Sequence, residues 1–200
     1  SGNSIHSNSG VGIDLSPWAG WDGVTPNDAG DEDTRGGNEL QNFPVLLSAE
    51  VAGSSVHVVG TLNSQASSAY RVEFFANSEC DPTGYGEGET FLGWVDVTTD
   101  ANGDAAIDAT LSASVPSGSF ISATATDLGA SATSEFAACV EAVGNECGAD
   151  FDGDGTVNSG DVLAFLNAWT SQLPSGDFDG DGLFNSQDVL AFLNMWTAGC

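Results

Sequence analysis

Two hundred residues allow one ordinary domain or two small ones, and a 40% share of hydrophobic residues is enough for real cores. Twenty-nine acidic residues face two basic ones, Arg35 and Arg71, for a formal net charge of -27. That balance excludes nucleic acid as a default partner and argues against anionic membrane surfaces. It fits a solvated secreted protein, a cation binder, or a saline habitat that screens self-repulsion. No stretch reaches the roughly 18 apolar residues of a membrane span.

The chain opens at Ser1-Gly2-Asn3 without an initiator Met or a signal peptide, and the expectation is the C-terminal piece of a longer exported protein. Residues 1–42 are rich in Gly, Asn, Ser and Asp. From Gly2 to Leu15, the aliphatics Ile5, Val11, Ile13 and Leu15 are spaced by Asn and Gly. This resembles the last coil of a right-handed parallel β-helix, a solenoid that needs about three repeats to bury its inward face. Trp18 to Phe43 has no periodicity and carries Asp22, Asp28, Asp31, Glu32 and Asp33. An acidic linker is the reading adopted; a cation-binding loop is the alternative, and the glycine such a loop needs is not at the required offset.

From 43 to 141 the pattern has period two. Val56, Val58 and Leu62 alternate with His57, Val59 and Thr61, and Tyr70, Val72 and Phe74 with Arg71 and Glu73. Strand-like runs follow near 90–98, 104–111, 119–127 and 132–140, divided by turn residues such as Asn102-Gly103 and Pro116-Ser117-Gly118. About seven short strands in about a hundred residues predict an all-β sandwich. The stretch resembles the Ig-like sandwich that follows β-helical regions in large bacterial secreted proteins. Asp100-Ala101-Asn102-Gly103-Asp104 imitates a cation loop, but its glycine comes one position early and no acid stands at the twelfth place, so it reads as a hairpin turn.

The four cysteines are Cys80, Cys139, Cys147 and Cys200, none in a CxxC pair. An even count without that motif points to disulfides rather than zinc. Of three pairings, Cys80–Cys139 with Cys147–Cys200 is favoured because each closes within one proposed domain; four free thiols in a reducing compartment is the alternative.

After Cys147 the chain repeats itself. Asp150-Phe151-Asp152-Gly153-Asp154-Gly155-Thr156-Val157-Asn158-Ser159-Gly160-Asp161 precedes Val162-Leu163-Ala164-Phe165-Leu166-Asn167-Ala168-Trp169. Asp177-Phe178-Asp179-Gly180-Asp181-Gly182-Leu183-Phe184-Asn185-Ser186-Gln187-Asp188 then precedes Val189-Leu190-Ala191-Phe192-Leu193-Asn194-Met195-Trp196. Calcium takes six to eight oxygens, and alternate side chains of a tight loop converge on one point. Positions 1, 3 and 5 are Asp150, Asp152 and Asp154 in one copy and Asp177, Asp179 and Asp181 in the other. Gly155 and Gly182 stand at the sharp turn of position 6, and the carbonyls of Thr156 and Leu183 serve position 7. Asn158 and Asn185 hold position 9, and Asp161 and Asp188 close the loops at position 12. Two calcium ions are expected, with binding coupled to folding. The apolar stripes Val162, Leu163, Phe165, Leu166, Trp169 and Val189, Leu190, Phe192, Leu193, Trp196 are expected to bury against each other about a pseudo-twofold axis. A Cys147–Cys200 bridge brackets the pair and contributes about 4 kcal/mol in the chain-entropy model.

An ordinary EF-hand has a helix before each loop and usually Glu at position 12; here Asp closes both loops and too few residues precede the first for a helix. The duplicated unit of residues 148–200 resembles a dockerin, the bacterial module that joins secreted proteins, often polysaccharide-degrading enzymes, to cohesin domains. The terminal Ala198-Gly199-Cys200 resembles a dockerin-like class ending in Gly-Cys. The resemblance implies that positions 10 and 11, here Ser159 with Gly160 and Ser186 with Gln187, help select the partner; neither copy has the family's usual hydroxyl pair.

Three functions are weighed. The first is a non-catalytic, calcium-dependent docking or anchoring segment, monomeric and extracellular, binding a cohesin-like or other cell-surface domain in a polysaccharide-degradation or cell-surface setting. Its layout is a β-helix end with an acidic linker over 1–42, a sandwich over 43–141 and a dockerin-like module over 147–200. The second is a fragment of a glycoside hydrolase or lyase with its catalytic part upstream. Such enzymes need a carboxylate pair, but with twenty-nine acids no pair stands out, and His6 and His57 have no nucleophile motif around them. The third is an accessory carbohydrate-binding sandwich using Trp94, Tyr85 and Phe91, for which core or loop packing is the alternative role.

Overall fold

The period-two runs become strands because one face of each carries aliphatic or aromatic side chains and the other carries polar ones. In the computed structural model these are β1 (Val45–Ala52), β2 (Ser55–Asn63), β3 (Ala69–Asn77), β4 (Thr90–Thr98), β5 (Asp104–Leu111), β6 (Phe120–Asp127) and β7 (Val140–Gly144). The structure describes residues 2–8, 10–16, 23–52, 54–144, 147–154 and 156–199. The chain divides into two units, Ser1–Gly144 and Asn145–Cys200. Along β5, Ala105, Ile107, Ala109 and Leu111 face inward. They join Val56, Val58, Leu62, Tyr70, Val72, Phe74 and Ile121 in one core.

The strands form one sheet in the order β4-β3-β6-β7-β1-β2-β5. Its pairings are antiparallel except β1 with β7, which run parallel. The five-residue β7 is the bridge: Phe120↔Glu141 and Ile121↔Val140 tie it to β6, and Ala49↔Ala142 to Val51↔Gly144 tie it to β1. The two ends of the order, β4 and β5, lie against each other, so the sheet curls in a barrel-like manner. The expected two-sheet Ig-like sandwich is thus replaced by one curled sheet. Alternation reads the same in both, because it records which face is buried and not which strands are neighbours.

Three smaller differences follow. β1 is a strand that period two does not mark, since Val45-Leu46-Leu47 breaks the alternation; the register with β2 slips between Leu46 and Ser48, and Leu47 is exposed. The expected strand at 132–140 is an irregular run held by single bridges, Thr126↔Thr133 and Tyr85↔Ala138, and only Val140 enters β7. Asp100 to Asp104 does make a tight turn, with Gly103 at φ +86° donating to the Asp100 carbonyl. It joins β4 to β5, the opposite ends of the order, and β5 takes its ladder from β2, so the turn closes the curl rather than a two-stranded hairpin.

The disulfide Cys80–Cys139 is formed. Cys139 directly precedes β7, an interior strand, so the bridge reaches the middle of the sheet. The N-terminal segment is built into the same unit. Ile5 pairs with Gly88 rather than stacking in a solenoid coil, and Glu87 accepts from the Ser7 and Asn8 amides. Buried Glu135 accepts 2.7 Å bonds from the Leu15 and Thr25 amides. Trp18 and Asp22 of the expected linker lie outside the described residues.

The second unit contributes two helices, α1 (Ser159–Thr170) and α2 (Ser186–Ala198), joined through a short 3-10 turn at Pro174–Gly176. Each starts with a capping box: Asn158 and Asn185 are the N-caps, and Asp161 and Asp188 answer from the first turn. Cys200, the far end of the second expected bridge, lies outside the described residues.

Candidate metal centre

In each copy the loop runs into the helix that carries its last carboxylate. Positions 1, 3 and 12 converge: one carboxylate oxygen each from Asp150, Asp152 and Asp161 lie within 4.8 Å of one another, and the same holds for Asp177, Asp179 and Asp188. Asp161 and Asp188 are fully buried. Their oxygens are oriented by loop amides: Asp161 accepts from Asn158 (2.7 Å) and Asp152 (3.2 Å), and Asp188 from Asn185 (2.8 Å) and Phe178 (2.9 Å). Gly182 at position 6 adopts φ +82°, the left-handed backbone that a glycine takes without strain, and donates to Asp177 Oδ2. Its counterpart Gly155 lies outside the described residues.

Asp154 and Asp181 are not members of these close groups. Asp154 and Asp181 accept from the amides of Thr156 (2.8 Å) and Leu183 (2.7 Å), two residues on. Asn158 and Asn185 cap the helices, taking the amides of Gly160 and Gln187. Asn158 also donates to the Thr156 carbonyl at 2.8 Å.

The electrostatics reflect crowded like charges. Asp152 accepts an amide bond from Asp154, which lowers its pKa, yet burial and the carboxylates of Asp154, Asp161 and Asp150 outweigh it and hold the group above its ordinary value. Asp161 goes the other way: burial pushes it up, but the amides of Asn158, Asp152 and Phe151 bring it below the ordinary carboxylate value. Asp188 is lowered by the Asn185 amide first, against burial. Asp177 Oδ1 is buried with no hydrogen-bond partner among the described residues, and Asp177 is one of the three carboxylates of its close group. Acceptor-only oxygens converging in this way with no basic side chain in the unit fit a hard divalent cation.

The helix stripes do not bury as a whole. Phe165 and Phe192 are fully buried, while Leu163 and Leu190 are 62% and 60% exposed. The core instead recruits the position-2 phenylalanines: Phe151 and Phe178 meet the Phe165–Phe192 pair edge-on, at centroid distances of 5.4–5.9 Å. A hydrophobic residue between two ligands was the sequence signal for this role. Ser159, Ser186 and Gln187 are exposed at the starts of the helices, and Gly160 is partly buried beside Asn158 and Asp152.

A third close group, Asp28, Asp31 and Asp33, lies in the β unit. Asp31 is buried and accepts from the Asn42 amide and the Ser64 hydroxyl, both at 2.9 Å, which ties the expected linker into the fold. Of the aromatic trio weighed for sugar stacking, Tyr85 packs on Phe43, Phe91 packs on Phe75, and Trp94 carries the Arg71 guanidinium 3.8 Å above its ring.

The second unit is therefore a duplicated, acid-lined loop–helix pair of the kind that binds a divalent cation. Residues 148–195 match the family model of the dockerin type I domain. No curated protein matches the chain. Dockerin domains are non-catalytic modules that bind calcium and dock onto cohesins, and they occur in secreted or cell-surface proteins.

Proposed function

We propose that this chain is the docking segment of a secreted bacterial protein, in which residues 147–200 take up two calcium ions and hold a cohesin-like domain. The carrying observation is the convergence of carboxylates from positions 1, 3 and 12 in both copies. Asp150, Asp152, Asp154, Asn158 and Asp161 with the Thr156 carbonyl would hold one ion. Asp177, Asp179, Asp181, Asn185 and Asp188 with the Leu183 carbonyl would hold the other. Calcium supplies the positive charge that lets four carboxylates per loop share one point; the residues themselves orient the oxygens and bring the helices together.

Partner contact falls to what the core leaves out. Leu163 and Leu166 beside Ser159 and Gly160 form one face, and Leu190 and Leu193 beside Ser186 and Gln187 form its copy; all four leucines are exposed. Without a basic residue on either helix, such a face suits a partner that offers apolar surface and cations of its own. The β unit serves as the spacer, in an extracellular polysaccharide-degrading or surface-anchoring assembly. The test is binding to a panel of type I cohesins by calorimetry, in calcium and in EGTA. Calcium-dependent binding is expected; binding unchanged by EGTA would overturn the proposal.

A further inference from the structure

The two loops are joined by a pair of crossed hydrogen bonds. Trp169, at the end of the first copy, donates its indole N–H to the carbonyl of Asn185 in the second loop at 3.1 Å. Trp196, at the end of the second copy, donates to the carbonyl of Asn158 in the first loop at 2.9 Å. Both indoles are partly buried, so each bond is shielded from water. Each acceptor is the N-cap of the helix that carries position 12. The peptide held by Trp196 is one end of the turn in which the Asn158 amide binds Asp161 Oδ2, and the peptide held by Trp169 is one end of the turn in which the Asn185 amide binds Asp188 Oδ2.

We propose that Trp169 and Trp196 are crossed positioning residues: each fixes the helix start that aims the closing carboxylate of the other copy, so each loop's affinity for a divalent cation depends on the tryptophan of its neighbour. This rests on the calcium reading above. A loop whose N-cap wanders must be ordered when the ion binds, and that ordering subtracts from affinity. A tryptophan delivered from the opposite copy carries the ordering in advance. The arrangement also makes uptake reciprocal, since an ion that orders one helix start steadies the indole bond reaching it.

Calcium titration of the full chain by calorimetry tests this, using loops disabled singly. In a chain with Asp179→Asn and Asp181→Asn, only the first loop binds; there Trp196→Phe is expected to weaken uptake about threefold to tenfold, the worth of one neutral hydrogen bond. Trp169→Phe in the same background is expected to leave it nearly unchanged. With Asp152→Asn and Asp154→Asn the two tryptophans exchange roles. A second readout keeps both loops intact: at saturating calcium, Trp196→Phe should speed hydrogen exchange at the Asn158 amide and spare that of Asn185. A loss shared equally by both loops, or no loss in either, overturns the proposal, because a tryptophan that merely fills the core would show no crossed pattern. Failure of the unmodified chain to take up calcium counts instead against the calcium reading itself.

Discussion

Phe165 and Phe192 lie face to face, with ring centroids 4.3 Å apart and planes inclined by 14°. They are equivalent residues of the two copies, so each copy contributes the same ring to the stack. Phe151 and Phe178 close around it edge-on, an edge-to-face arrangement that ring quadrupoles favour. Since those two phenylalanines sit between ligand positions 1 and 3 of the loops, the core and the cation sites share the same stretches of chain.

Truncating either stacked ring should therefore unfold the unit rather than loosen it. Phe165→Ala is expected to cost about 3–5 kcal/mol, comparable to all that so small a core supplies. Helical circular dichroism in calcium should fall toward the level of the metal-free chain, while the unfolding transition of the β unit stays where it was.

The exposed leucines call for the opposite behaviour. Leu163→Asp with Leu190→Asp removes apolar surface from both copies without touching the four-ring core. Calorimetry should find calcium uptake retained and binding to a cohesin-like partner lost. Partner binding that survives the double substitution would place the contact elsewhere.

Cys80–Cys139 closes a long loop across the β unit, with a sequence separation of 59. Replacing both residues by serine should lower its stability by about 4 kcal/mol in the chain-entropy account. Hydrogen exchange at the amides of β1 to β7 in rising urea checks this, and the amides of the C-terminal helices should not respond.

Asp31 gives the β unit a pH signature. Burial raises its pKa above the ordinary carboxylate value, against the lowering bonds from Ser64 and Asn42. A raised folded-state value means that its contribution is fully present below the unfolded-state value and is lost as pH rises through the folded one. Relative to Asp31→Asn, the natural chain should thus lose stability as pH climbs from the unfolded value through the folded one, and the gap should level off above it. Urea midpoints of the two proteins across that range measure the effect.

The convergence of carboxylates was legible because its spacing is local. Twelve residues dictate where Asp150, Asp152 and Asp161 can meet, and the repeat supplies an internal control. What escaped the sequence depends on residues far apart in it. The stripe from Val162 to Trp169 could not reveal that Phe165 would bury while Leu163 stayed outside, because that choice is made by Phe151 and Phe178 arriving from the loops. The Trp169–Asn185 and Trp196–Asn158 bonds leave no trace in spacing at all. In the β unit, alternation marked the buried face of β2, β3 and β5, but the parallel entry of β7 beside β1 pairs residues 93 apart, as Ala49 with Ala142 (142 − 49). The acidic run at 28–33 read as solvated linker because charge alone does not announce that Asp31 will find Asn42 and Ser64.

The most direct measurement of the central claim is calcium titrated into the chelator-stripped chain by calorimetry, with far-ultraviolet circular dichroism recorded at each step. Both loops should take up calcium, two ions per chain, with helix forming in α1 and α2 as the ions bind. Absence of binding heat at millimolar calcium, with the helices equally formed in its absence, would contradict it.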